Sequence, residues 1–235
     1  MSDTLAFLID APLQSWGASS KFQRRETEGW PTKSALIGVL AAALGIDKHA
    51  PDESEKLAPI AALSFSVFRW SKTVPVTRLA DFHTIGGGYD KTNPSEKLHI
   101  PCKAGDGSPF GTVITRRSYL MDARFIVIFQ GERATLEAAA AALLDPVWGV
   151  WFGRKTCIPA EPLCPVVAAV PREALVALLQ KFGNDPAEVE KLEGMTESPG
   201  PGRFYQADQP VAYGQHHGPV PQAYHSRPVR RLAPG

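Results

Sequence analysis

Apolar positions along the 235-residue chain fall into short runs separated by longer, spaced patterns. Residues Thr4 to Ile9 (TLAFLI) make a run of strand length. Just after Pro31, starting near Thr32 or Lys33, Leu36, Ile37, Leu40 and Leu44 recur at helical spacing, and Gly45 stands where a terminating glycine belongs. Residues 61–70 alternate, with Leu63, Phe65 and Val67 on one face, the signature of a half-buried strand. Arg124 to Gln130 (RFIVIFQ) predicts a further strand, Arg133 to Leu144 (RATLEAAAAALL) a helix, and Val147 to Gly153 (VWGVWFG) a return to extended structure.

In order, these elements spell βαββαβ, an α+β ferredoxin-like plan shared with RNA-recognition domains. Its second and third strands are separated by residues 71–122, where a hairpin needs only about two to five. The insertion holds Gly86-Gly87-Gly88, Pro94, Pro101 and GDGSPFG at 105–111. Its flanks, VPVTRLADF (74–82) and TVITRRSYL (112–120), read as the arms of a projecting β-hairpin, a thumb. The expected organisation is a domain over 1–165 carrying this insertion, then a smaller C-terminal extension over 166–235. The extension begins with a strand at VVAAV and an amphipathic helix from Pro171, proline being favoured at the first helical position. Past Gly194 it becomes rich in Gly and Pro, consistent with short strands or with a tail that orders on a partner.

Net charge is 25 − 24 = +1, so overall charge carries no nucleic-acid signal. Its distribution carries more: residues 166–198 hold three cations and six acids, residues 199–235 four cations and one acid. Cys102, Cys157 and Cys164 form neither a disulfide framework nor a CxxC metal motif. No secretory leader pattern and no run of eighteen apolar residues occurs, so a reducing cytoplasm away from membranes is the economical expectation.

Candidate chemistry begins at the first strand-to-helix turn. Thr32, Lys33 and Ser34 stand at a helix N-terminus, where free N–H groups and the dipole favour an anion, and Lys21, Arg24 and Arg25 can converge from the loop. Simple capping by Thr32 among solvated cations is the rival reading. Trp16 precedes this loop and could stack a base or pack the domain. Gly153-Arg154-Lys155-Thr156 (GRKT) closes the expected fourth strand, and Arg116-Arg117 lies at the thumb base. Basic groups at the mouths of three neighbouring elements suit a phosphate backbone better than a small molecule. His83, beside Asp81 and Thr84, could serve as a general base for metal-free RNA cleavage or could simply be hydrogen-bonded in place. The histidines lack metal-ligand spacing, and the triple glycine is not followed by GK[ST].

Several of these stretches resemble one family. LQSWG at Leu13, F-x-R-R-x-T at Phe22 and PTKSALIGVLAAALGI at Pro31 are similar to the N-terminus of the CasD family of CRISPR Cascade subunits (type I-E), within the RAMP superfamily. DFHT at Asp81, RRSYLMDARF at Arg116 and GRKTCIPAEPLCP at Gly153 follow in the same order, and HSRPV at His225 echoes a C-terminal S-R motif. The resemblance implies a non-catalytic antiviral-defence subunit that binds the 5′ handle of a CRISPR RNA and takes no cofactor or metal. It would cap a backbone of CasC-like subunits and touch the large PAM-reading subunit, with target DNA a candidate further partner in the assembled complex. In a related subtype the equivalent subunit is the processing ribonuclease, which keeps a metal-independent endoribonuclease open as the alternative. Motif by motif, the implied RNA contacts are Gln14, Ser15, Trp16 and Gly17; then Lys21, Arg24 and Arg25; then Thr32, Lys33 and Ser34. His83, Thr84, Arg116, Arg117 and Tyr119 follow at the thumb, and Gly153, Arg154 and Lys155 after it.

Overall fold

The computed structural model describes residues 2–17, 23–70, 76–85, 113–198, 200–201, 203–214 and 224–233. Their strands join one sheet. Strand β1 (Asp3–Gln14) is central, pairing with β5 (Val113–Gly131) on one side and β6 (Val166–Ala168) on the other, both antiparallel. Strand β3 (Ser64–Arg69) lies on the far side of β5. The order β6-β1-β5-β3 is the antiparallel ferredoxin-like sheet. Three further strands extend it past β3: β7 (Glu193–Glu197), then β9 (Tyr224–Leu232), then β8 (Phe204–Pro210) at the edge. Residues after 166 therefore contribute strands at both ends of the sheet.

Period-two alternation sends β1 and β5 side chains to two separate cores. Leu5, Phe7, Ile9, Phe125, Val127 and Phe129 meet helices α1 (Lys33–Leu44) and α3 (Arg133–Leu144) on one face. Ala6, Leu8, Ile126 and Ile128 meet helix α4 (Pro171–Lys181) on the other. The sheet face that RNA-recognition domains leave open for stacking is here closed by Leu175, Leu178 and Leu179 of α4.

Helix α1 has the expected ends. Thr32 caps it by accepting from the Ala35 amide at 3.4 Å, and Gly45 closes it in the left-handed region at φ 71°. Helix α4 starts at Pro171 as expected. Two expectations need correction. Residues 147–153 form bends and irregular backbone, not a strand, because the Val147 and Trp148 amides donate to Ala43 and Ala42 at the end of α1; the fourth strand is β6. The second thumb arm and the strand at 124–130 are one continuous strand, β5, passing the junction with Asp122 at φ 49°, a conformation that aspartate tolerates. An unexpected helix, α2 (Glu53–Ala61), precedes β3 despite Pro59 within it. The buried Glu53 side chain anchors α2 by accepting the Tyr213 and Gly214 amides at 2.7 and 3.0 Å.

The thumb root is a hairpin as the sequence predicts. Strand β4 (Arg78–Ile85) pairs antiparallel with residues 113–120 of β5. The two-residue strand β2 (Arg24–Arg25) lies parallel along the opposite edge of the same stretch. The insertion's glycines and prolines, with Cys102 and Lys103, lie outside the described residues.

Candidate nucleic-acid interface

The thumb root brings together the arginines that the sequence scatters. Arg24 stands beside Arg116 and Arg25 beside Arg117 in register, so the members of each pair share a face about 4.8 Å apart and the two pairs lie on opposite faces. Arg24, Arg25 and Arg116 are exposed and Arg117 half-buried. Across the other ladder, Phe82 faces Arg116, Asp81 faces Arg117 and His83 faces Thr115. Phe82 is 61% exposed, a bare aromatic next to an arginine. On the second face, Arg117 Nε donates to the Thr115 hydroxyl at 3.1 Å, and that hydroxyl shares a 3.3 Å hydrogen bond with His83 Nδ1. Thr84, one residue on, is exposed.

The loop after α3 locks this ladder to the body. Gly153 adopts φ 100°, and a side-chain carbon there would sit 1.7 Å from the Ser15 carbonyl oxygen, so only glycine fits. The Ser15 amide donates to Phe152 at 3.0 Å, and Trp16 packs against the Phe152 ring at 6.0 Å. From this loop Arg154 reaches over Tyr119 at 4.5 Å and donates to the carbonyls of Ser118 (3.0 Å) and Arg25 (2.7 Å), tying β2 to β5. Lys155 is exposed, 5.9 Å from the Trp151 ring.

The helix N-terminus behaves differently from the anion site read in the sequence. Lys33 is 3% exposed, and its ammonium meets both oxygens of Glu197 at 3.0 and 3.3 Å. Its amide donates to Asp208 Oδ2 at 2.7 Å, so the protein supplies its own anion there. Arg227 grips the same Asp208 through two bonds of 2.6 and 2.8 Å and comes within 3.6 Å of Glu197. Thr32, Lys33 and Ser34 are buried structural residues, since the carboxylates of Asp208 and Glu197 already occupy the space a phosphate would take. Trp16 is 0% exposed with its indole N–H on Gln14 at 3.1 Å, and Gln14, Ser15 and Tyr119 are buried too. Their rings and amides build the scaffold and present no surface. Gly17 is exposed, and Lys21 lies outside the described residues.

The profile of the family described as CRISPR-associated protein (Cas_Cas5) matches residues 4–211. The chain belongs to the Cas5 family. It is 29% identical over 204 residues to the CRISPR system Cascade subunit CasD of Escherichia coli (strain K12), covering 83% of this chain and 84% of that one. Its fold is similar to a chain of a solved CRISPR RNA-guided surveillance complex, with TM-score 0.72 and 27% identity over 97% of this chain and 89% of the other. It is also similar to a Cas protein known from a crystal structure, with TM-score 0.64 and 29% identity over 98% and 94% of the two chains.

In this Cas5 chain, sequence reasoning missed Phe82 and the ion-pair group that Glu197 forms with buried Asp208 and Arg227. Alternation along 78–85 could have placed Phe82 opposite Arg116 once the hairpin register was known. No local signal joins Lys33 to carboxylates 164 and 175 residues away. Arg227, the arginine of HSRPV, is a core ion-pair partner lying 5.0 Å over the Phe65 ring. Among the described residues no group of three or more His, Cys, Asp or Glu converges to hold a metal, and no helix is long and apolar enough to cross a membrane.

Proposed function

We propose that this Cas5-family chain is a non-catalytic RNA-binding subunit of a Cascade effector, gripping the 5′ handle of a CRISPR RNA along its thumb root. The observation that carries the reading is the in-register pair Arg24–Arg116 on one face of the thumb root, with exposed Phe82 beside it, and the pair Arg25–Arg117 on the other face. Paired guanidiniums match the phosphate backbone and an exposed ring offers a base its π-face. Closure of the opposite sheet face by α4 supports the thumb, and not the sheet, as the RNA surface. The relative named as a Cascade subunit supports a place in an assembly. The partners are then a CasC-like backbone subunit, met by the thumb, and a large PAM-reading subunit. Residues 1–165 would carry the RNA-binding surface, and 166–235 would be the extension that completes the sheet with β6 and braces it.

Binding titrations at several salt concentrations test this. Arg24→Ala with Arg116→Ala should weaken binding of repeat-derived RNA and reduce the salt slope by roughly one per lost phosphate contact. An unchanged slope would remove the strip from the interface.

One observation favours a second reading, a metal-independent endoribonuclease: His83 shares a hydrogen-bonded chain with Thr115 and Arg117 on the thumb root. Single-turnover incubation of repeat RNA in EDTA separates the two. Binding without cleavage supports the subunit; specific cleavage lost in His83→Ala, by about a hundredfold or more, establishes the enzyme.

A further inference from the structure

A second feature lies at the foot of the same segment. Glu28, Gly29 and Trp30 lie shortly after Arg24–Arg25 in the chain and form one wall of an open cavity of about 220 Å³. Phe204 and Gln206 of β8, with Met195 and Arg231, complete it. Register explains the assembly: Met195 pairs with Arg231 between β7 and β9, and Phe204 pairs with Val229 between β8 and β9. Trp30 is held rigidly, with the Arg69 guanidinium 4.3 Å over its ring and Phe125 5.7 Å away. Arg69 is itself fixed by Glu193 at 3.1 Å. Phe204 is 41% exposed, and its neighbour Tyr205 stands more exposed at the rim. The cavity is below the range of about 300–1,000 Å³ that suits drug-sized ligands and matches a single planar ring system.

Resting on the RNA-binding reading above, we infer that this cavity receives one unstacked base of the guide RNA, seated against Trp30 and Phe204. Three observations select a base as occupant. Two aromatic side chains line it: Phe204 has an exposed ring for stacking, and Trp30, whose ring already carries the Arg69 guanidinium, forms a side wall. Glu28 offers acceptors while Gln206 offers both a donor and an acceptor, the complement of a base edge and of no use to an apolar side chain. Arg231 supplies positive charge where the flanking phosphates would pass. The cavity is also within reach of the arginine strip, since the three residues from Arg25 to Glu28 span at most about 11 Å.

The test uses the full chain and labelled single-stranded octanucleotide RNA, intact or lacking one base at a single walked position. Phe204→Ala should weaken binding roughly five- to a hundredfold with the salt slope unchanged, and Phe204→Tyr should restore it. The abasic RNA should lose affinity for the wild type at one position and lose nothing further with Phe204→Ala. Exposure of Phe204 keeps the fold intact, which a thermal melt verifies. Unaltered affinity in Phe204→Ala, while Arg24→Ala/Arg116→Ala still lowers the slope, would overturn the base pocket and leave the RNA-binding reading standing. Unaltered RNA affinity with failed assembly on partner subunits would give the cavity to a protein segment, and the inference fails. A wild type that binds no RNA ends both readings.

Discussion

The ammonium of Lys33 lies 3.0 Å from Glu197, buried at the start of α1 although the two residues are 164 positions apart. Burial lowers the lysine pKa below its ordinary value, against the raising effect of the Glu197 charge and hydrogen bond. The pair joins the N-terminal helix to β7, and Asp208 and Arg227 join the same point to β8 and β9.

Lys33→Ala should therefore act on stability and not on RNA. Glu197 would lose its ammonium but keep the Phe65 amide at 2.8 Å and Arg227 at 3.6 Å, so the cost should fall below about 3–5 kcal/mol, that of stranding a buried charge. Glu197→Gln in the same chain should recover part of that loss, and a double-mutant cycle by chemical denaturation measures the coupling. A lowered pKa means the unfolded chain holds this proton more tightly, so this group's contribution grows as pH rises through the folded-state pKa and is lost as pH falls through it. The Lys33→Met/Glu197→Gln double variant should lack that alkaline component in denaturation curves taken across pH. RNA binding whose salt slope falls in a folded Lys33 variant would contradict the structural assignment.

Gly153→Ala should disrupt the loop that carries Arg154. Its φ of 100° is unfavourable for a side chain, and the added carbon would overlap the Ser15 carbonyl. A loss of at least about 1–3 kcal/mol is expected from the backbone alone. The melting temperature should fall, and RNA affinity should fall with it because β2 loses its clamp to β5.

Trp16→Ala should unfold before it affects RNA contacts. Its ring is fully enclosed by the core and by Phe152, so truncation should cost about 3–5 kcal/mol. Trp16→Phe should retain much of the stability and full RNA affinity per folded molecule. A stable Trp16→Phe protein with sharply reduced affinity would make the indole an RNA contact.

Cys157 should resist alkylation at neutral pH while half-buried Cys164 reacts first, read by peptide mass mapping. Burial pushes the Cys157 thiol up, opposed by its hydrogen bonding and by the Arg154 charge. A raised pKa contributes stability that is complete below the unfolded-state value and is lost as pH rises through the folded-state value. Cys157→Ala should show less alkaline destabilisation than the wild type above about pH 9.

What the sequence determined by itself was the local grammar. Leu36, Ile37, Leu40 and Leu44 between a capping Thr32 and Gly45 specify α1, because helical period and end chemistry act over a few residues. Phe65 and Val67, with Leu63 just before the strand, specify the buried face of β3, and the excess length between two β-type stretches identifies the thumb. The tertiary structure decided which charges face water. Lys33 and Arg116 are alike on paper, each a cation beside a promising motif. One is held inside by Glu197 and Asp208, brought from the far end of the chain, which offset part of its desolvation; the other stays on a three-strand ladder with no carboxylate in register. Trp16 and Phe82 divide in the same way, the indole enclosed by the 151–157 loop and the phenyl ring left bare on β4. Periodicity is short-ranged and survives in one dimension, whereas the pairing of charges across more than 160 residues depends on strand order, which only the folded sheet defines.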